Sequence, residues 1–165
     1  ATEAWQGPRH GLHDFVLNGG AIEVKATTAV EGFPAKIASL AQLDDAIASP
    51  LFVAAVRLSV AATGTTLPER VDSLRHLLVA SPVARTIFDS RLVEAGFLDA
   101  VRERYVRRFL SAGISVMRVT DGFPRLPTAS VPREVRKASY ELELSMVTQP
   151  DVGLAAAFGE LGVQT

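Results

Sequence analysis

Between His13 and Thr27 the chain carries Asp14, Glu23 and Lys25, two carboxylates and an ammonium within twelve residues. Hydrolysing a phosphodiester requires neutralising charge on the phosphate and producing hydroxide near neutral pH, and a hard cation such as Mg²⁺ does both. Carboxylates are the natural ligands of such a cation. In this reading Asp14 and Glu23 bind the metal, the carbonyl of Val24 is a further ligand, and Lys25 holds the attacking water and offsets developing charge. The same Glu/Lys alternation also describes the wet side of an ordinary strand, and an Asp followed by Glu-x-Lys is by itself a weak signal.

Positioning these groups is the task of a hairpin. β-rich runs flank Asn18-Gly19-Gly20, and a Gly-Gly pair takes the positive φ angles of a two-residue type I′ turn. With Gly19 and Gly20 as the turn, Asn18 faces Ala21, Val16 faces Glu23 and Asp14 faces Lys25. Paired residues project to the same side of a sheet, so Asp14, Glu23 and Lys25 share a face. Phe15, Leu17, Ile22, Val24 and Ala26 form the apolar opposite face. A loop of odd length would set Asp14 against Val24 instead.

At 165 residues the chain suits one domain with a sizeable core. We read residues 1–62 as catalytic hairpin and core strands and 63–165 as a helical and strand extension. A hydrophobic fraction of 48% with 21% charge is that of a globular protein, and no apolar run reaches the roughly 20 residues of a membrane span. There is no cysteine, which excludes disulfides and thiolate metal sites, and the first residues lack the order of a signal peptide. An intracellular, cytoplasmic protein is the simplest expectation. The formal charge of -1 neither favours nor forbids a polyanionic partner.

Downstream, 28–35 reads as a loop. Lys36–Ala46 reads as a short strand or entry followed by a helix with Ser39 as N-cap, ended at Ser49-Pro50. Leu51–Val60 suits a buried strand, although periodicity alone does not separate it from a helix. Leu67, Val71, Leu74, Leu77 and Leu78 have helical spacing behind Thr66 and Pro68, and a second helix runs from Pro82 to about Ala95 with Gly96 as its stop. A short helix at 98–104, a strand containing Ile114, Val116 and Val119, a loop at 121–127, a helical turn within 131–137, an alternating half-buried strand at 139–146 and a terminal helix within 153–162 complete the pattern.

Other residues have two readings. His10 and His13 beside Asp14 are either a metal or base cluster or surface groups, with His13 the better candidate. Arg102, Arg104, Arg107 and Arg108, together with Arg133, Arg136 and Lys137, could contact phosphates, although Glu103 interrupts the first group as it would on a solvated helix face. Gln42 either contacts the site or caps a helix. Trp5 and Phe123 read as packing anchors, and Asp44-Asp45 as helix surface.

Asp14 with Glu23-Val24-Lys25 resembles the signature of the PD-(D/E)XK nuclease superfamily, in which an Asp precedes an acid-x-Lys on the next strand. The likeness extends to Trp5-Gln6-Gly7-Pro8, His13-Asp14-Phe15, Ile22–Thr27, Ser39–Leu43 and Asp121–Leu126, which resemble the PD-(D/E)XK motif proteins of bacterial restriction and phage-defence neighbourhoods. This resemblance implies an α/β, restriction-endonuclease-like mixed sheet flanked by helices, DNA as substrate, and Mg²⁺ as cofactor with Mn²⁺ as its substitute. It implies endonuclease action; defence-system protein partners and a homodimer are further expectations. The alternative is a non-catalytic nuclease-fold module that binds DNA or assembles a complex. By the resemblance Asp14 and Glu23 match the metal acids, Lys25 the lysine and Gln42 the polar position on the helix after the catalytic strand. His13 stands where the motif names proline. Related proteins carry an upstream helix with a metal-site glutamate, so a chain with thirteen residues before Asp14 is expected to be an incomplete member.

Overall fold

The computed structural model describes residues 2–9 and 11–163, so His10 lies outside the described residues. Four strands form the central sheet in the order β1-β2-β4-β5, with β1 at Phe15–Leu17, β2 at Gly20–Thr27, β4 at Leu51–Thr66 and β5 at Arg108–Arg118. The sheet is mixed. β1 and β2 form an antiparallel hairpin, β2 and β4 run parallel, and β4 and β5 run antiparallel. β3, Pro34–Ile37, pairs with β6, Tyr140–Glu143, in a separate two-stranded ribbon. β4 continues through position 62, so the two halves of the chain share one sheet.

Alternation divides the sheet into two apolar faces. On one face Ala21, Leu51, Val53, Ala55 and Met117 pack under Ala35 and Ile37 of the ribbon, joined by Leu43, Phe123 and Leu144. On the other, Ile22, Phe52, Ala54 and Val116 meet Ala157 and Leu161 of the C-terminal helix region, α3 being Leu154–Glu160. Phe15, Leu17 and Val24 join this second layer as the alternation requires, whereas Ala26 is exposed.

Two helices form a cap beside the hairpin. Helix α1, Leu67–Leu77, begins in a reciprocal capping box: the Glu69 amide donates to the Thr66 hydroxyl at 3.3 Å and the Thr66 amide to the Glu69 carboxylate at 2.7 Å. Helix α2, Pro82–Glu94, stops at Gly96, whose φ of 86° suits glycine. Val71, Phe88, Leu92 and Phe97 form the cap's core, and Trp5 packs on Phe88 with ring centroids 6.0 Å apart.

Several expectations are corrected. The hairpin turn is Asn18-Gly19, with φ of 48° and 86°, rather than Gly19-Gly20, and the pairs are Phe15 with Ile22, Val16 with Ala21 and Leu17 with Gly20. Asn18 tolerates positive φ and is fixed by its side-chain amide donating to the Leu161 carbonyl at 2.8 Å. The register therefore moves by two residues, which preserves every face assignment. The helix expected after Ser39 is a 3-10 turn, Leu40–Leu43, and the Ser39 side chain makes no cap. Within 131–137 a single hydrogen-bonded turn forms, the Val135 amide donating to the Pro132 carbonyl at 2.9 Å, but it does not extend into a helix and Val135 stays exposed. The alternating strand ends at Glu143, and Met146 is exposed in a following 3-10 turn. Along α1 only Val71 of the expected stripe is fully buried, since Leu67, Leu74 and Leu77 face outward.

Candidate active site

β1 stops at Phe15, and there the hairpin ladder gives way to side-chain chemistry. The Asp14 carboxylate accepts the Val24 amide proton at 2.8 Å, in the place of a strand partner. From the other side the Gln6 and Gly7 amides donate to the Asp14 carbonyl at 2.7 and 3.2 Å. Gly7 fits because it lacks a side chain: a Cβ there would lie 2.6 Å from Asp14 Oδ1.

Glu23 continues the β2 face that also carries Ala21 and Lys25, but it is 3% exposed. That excludes the solvated-strand reading. The Lys25 ammonium lies 2.8 Å from Glu23 Oε1, and the Gln42 amide donates to the same oxygen at 2.7 Å. Burial pushes the Glu23 carboxyl up to about 7, against the opposing hydrogen bond and charge of Lys25 and with a further upward push from the Asp14 charge. Two carboxylates, one of them desolvated, with a single ammonium between strand and turn leave negative charge that a cation would offset.

Gln42 bonds in two directions. Its carbonyl oxygen accepts the Ala38 amide at 2.8 Å, closing the entry to the 3-10 turn, while its NH₂ group reaches Glu23. His13 is 3% exposed, and its Nε2–H donates to the Gln42 carbonyl at 3.1 Å. Burial lowers the His13 pKa, outweighing the carbonyl and the Asp14 charge. The ring is thus a buried strut between hairpin and turn.

The turn carrying Gln42 is itself clamped by Arg125 of the Asp121–Leu126 loop and by Asp44 and Asp45. Arg125 donates to the Leu43 carbonyl at 2.9 Å and to Asp45 at 2.7 Å. Asp44, 8% exposed, accepts amides from Ala46 and Thr128, both at 3.2 Å. Asp44 and Asp45 are therefore structural anchors rather than helix surface. Phe123 is buried beside them, as an anchor should be.

The arginine-rich candidates do not make one free basic face. Arg108 pairs with Glu69 at 2.8 Å and donates to the Gly64 carbonyl, Arg102 pairs with Asp72 and Asp99, and Arg107 stacks over Phe109. Arg104 is exposed in this same stretch. Arg133, Arg136 and Lys137 are exposed in the loop that leaves the opposite end of β5.

Among the described residues no three His, Cys, Asp or Glu side chains gather as a metal cage. Mg²⁺ needs fewer protein ligands, because it retains water and is commonly held by one or two carboxylates. The all-oxygen donors of Asp14, Glu23 and the Val24 carbonyl fit that preference. No helix among the described residues is long and apolar enough to cross a membrane. No curated protein and no solved structure matches the chain. A family model described as "Putative PD-(D/E)XK family member, (DUF4420)" matches residues 1–145, and with its mixed sheet flanked by helices the chain belongs to that PD-(D/E)XK family and has its restriction-endonuclease-like fold.

Proposed function

We propose that this chain is a Mg²⁺-dependent DNA endonuclease, acting as a single cytoplasmic domain in bacterial restriction or phage defence. The observation that carries the reading is the buried Glu23 carboxylate, bonded by Lys25 and Gln42 on the same hairpin face as Asp14. Asp14 and Glu23 would hold the cation with help from the Val24 carbonyl. Bound there, Mg²⁺ would neutralise phosphate charge and lower the pKa of water. Lys25 orients the attacking water and stabilises charge as it builds on the phosphate. Gln42 fixes the Glu23 rotamer, and His13 fixes the Gln42 backbone. The family's nuclease character supports DNA as substrate.

Incubation with supercoiled plasmid and Mg²⁺ tests this. We expect nicked and linear DNA with Mg²⁺ or Mn²⁺ and none in excess EDTA. Equal cutting in EDTA would contradict the metal-dependent reading. A protein that binds duplex DNA but leaves it intact with every divalent cation is instead a non-catalytic module of the same fold.

A further inference from the structure

We propose that Arg9 and Arg91 form a phosphate subsite for the DNA strand that enters the Asp14–Glu23 site, an inference that rests on the nuclease reading above. Arg91 lies on α2 with its side chain 7% exposed. Its Nη1 meets Glu94 Oε2 at 3.1 Å, while its buried Nε has no hydrogen-bond partner among the described residues. Arg9, from the 3-10 turn Gly7–Arg9, reaches the same Glu94 oxygen at 3.1 Å with a side chain that is 58% exposed. One carboxylate oxygen thus serves two guanidiniums. A buried guanidinium with an unmade hydrogen bond is costly, and its forked donors match a phosphate.

The space for one is present. Glu3, Arg9, Thr86, Ile87, Ser90 and Arg91 line a cavity of about 390 Å³. Glu94 pairs with both arginines, the exposed Glu3 lines the same cavity, and the Thr86 hydroxyl is donated to the Pro82 carbonyl. An ordinary surface ion pair would account for the exposed Arg9 but not for a buried Arg91 with an idle Nε.

Placement indicates which phosphate. Gly7 abuts the Asp14 carboxylate, and Arg9 follows two residues later, at most about 7 Å of chain away. Duplex DNA carries a charge at about every 3.4 Å of rise along each strand. With the scissile phosphate at Asp14 and Glu23, and the arginine side chains adding several ångströms to that span, the pair would take a phosphate within a few nucleotides of it on the same strand.

Fluorescence anisotropy of a short labelled duplex, titrated with protein in EDTA over a range of NaCl, reads the contact without cleavage. Arg9→Gln and Arg91→Gln should each weaken binding about tenfold and lower the slope of log affinity against log salt by about 1, whatever the DNA sequence. Arg9→Lys should restore the slope while recovering affinity only in part. Arg91 is buried, so circular dichroism must show its variant folded, and the exposed Arg9 carries the test where it is not. Parent slopes in the folded variants, with the parent still cutting plasmid in Mg²⁺, would overturn the subsite and leave the nuclease reading standing. A parent that neither binds nor cuts DNA would overturn both. A free anion is separated by inorganic phosphate at matched ionic strength: Arg91-dependent thermal stabilisation by phosphate, with DNA affinity unmoved by either substitution, would overturn the assignment to DNA.

Discussion

Glu23 sits between the Lys25 ammonium and the Gln42 amide, and desolvation holds its carboxyl near 7, against 4.5 for an unperturbed glutamate. The folded chain therefore binds this proton more tightly than the unfolded chain. Its contribution to stability is fully present below pH 4.5 and is lost as pH rises through 7, a difference of about 3 kcal/mol. Urea unfolding across that window should show the decline, and Glu23→Gln should lack it. At the same scale, Gln42→Ala removes a donor that orients Glu23, and support of this kind is typically worth about 10- to 100-fold in metal affinity. Calorimetric titration with Mn²⁺ should show a loss of that order with the fold intact by circular dichroism. Unchanged affinity would remove Gln42 from the site.

At the scale of elements, the hairpin brings Asp14 to Glu23 and the clamped 3-10 turn brings Gln42 to both. Gly20 lets the hairpin seat: a Cβ there would lie 2.5 Å from Leu161 Cδ2 and 2.6 Å from the Pro50 carbonyl oxygen. Gly19 has open space and needs only its positive φ. Gly20→Ala should therefore cost about 1–3 kcal/mol by forced displacement, and more than Gly19→Ala in parallel thermal melts. The glycine pair was visible in the sequence, but its division of labour was not, because the contact that excludes a side chain at Gly20 comes from residues 30 and 141 positions away. The shared face of Asp14, Glu23 and Lys25 was legible because side-chain alternation survives a two-residue shift of register. Glu23's burial was not, since it depends on the β3–β6 ribbon and the Leu40–Leu43 turn closing over that face. Arg125 stands in the Asp121–Leu126 motif, but its clamping role was hidden for the same reason: its partners, Leu43 and Asp45, lie about eighty residues earlier. Helices α1 and α2 were readable from local signals, namely Thr66 as a cap, the first-turn prolines and Gly96, whereas the reciprocal bond from Glu69 emerged only in the structure.

For the molecule as a whole, the cap bears on the site through the N-terminal segment. Trp5 packs on Phe88 and bridges to Phe15, and the chain between Trp5 and Arg9 holds the Asp14 backbone. Phe88→Ala should cost about 3–5 kcal/mol as a buried aromatic truncation. Trp5 is the sole tryptophan of the chain, so the same variant should red-shift its fluorescence as water reaches the ring. An unshifted spectrum would mean that cap and N-terminal segment are not coupled. Family membership and fold join this chain to nucleases, and the step from fold to chemistry depends on three side chains. Its most direct test is the rate of Mg²⁺-dependent plasmid nicking by the parent, Asp14→Asn, Glu23→Gln and Lys25→Ala, each shown to be folded. The parent should cut, with losses of about 10²-fold or more in all three variants; cutting at the parent's rate by all three would contradict the assignment of Asp14, Glu23 and Lys25 to the active site.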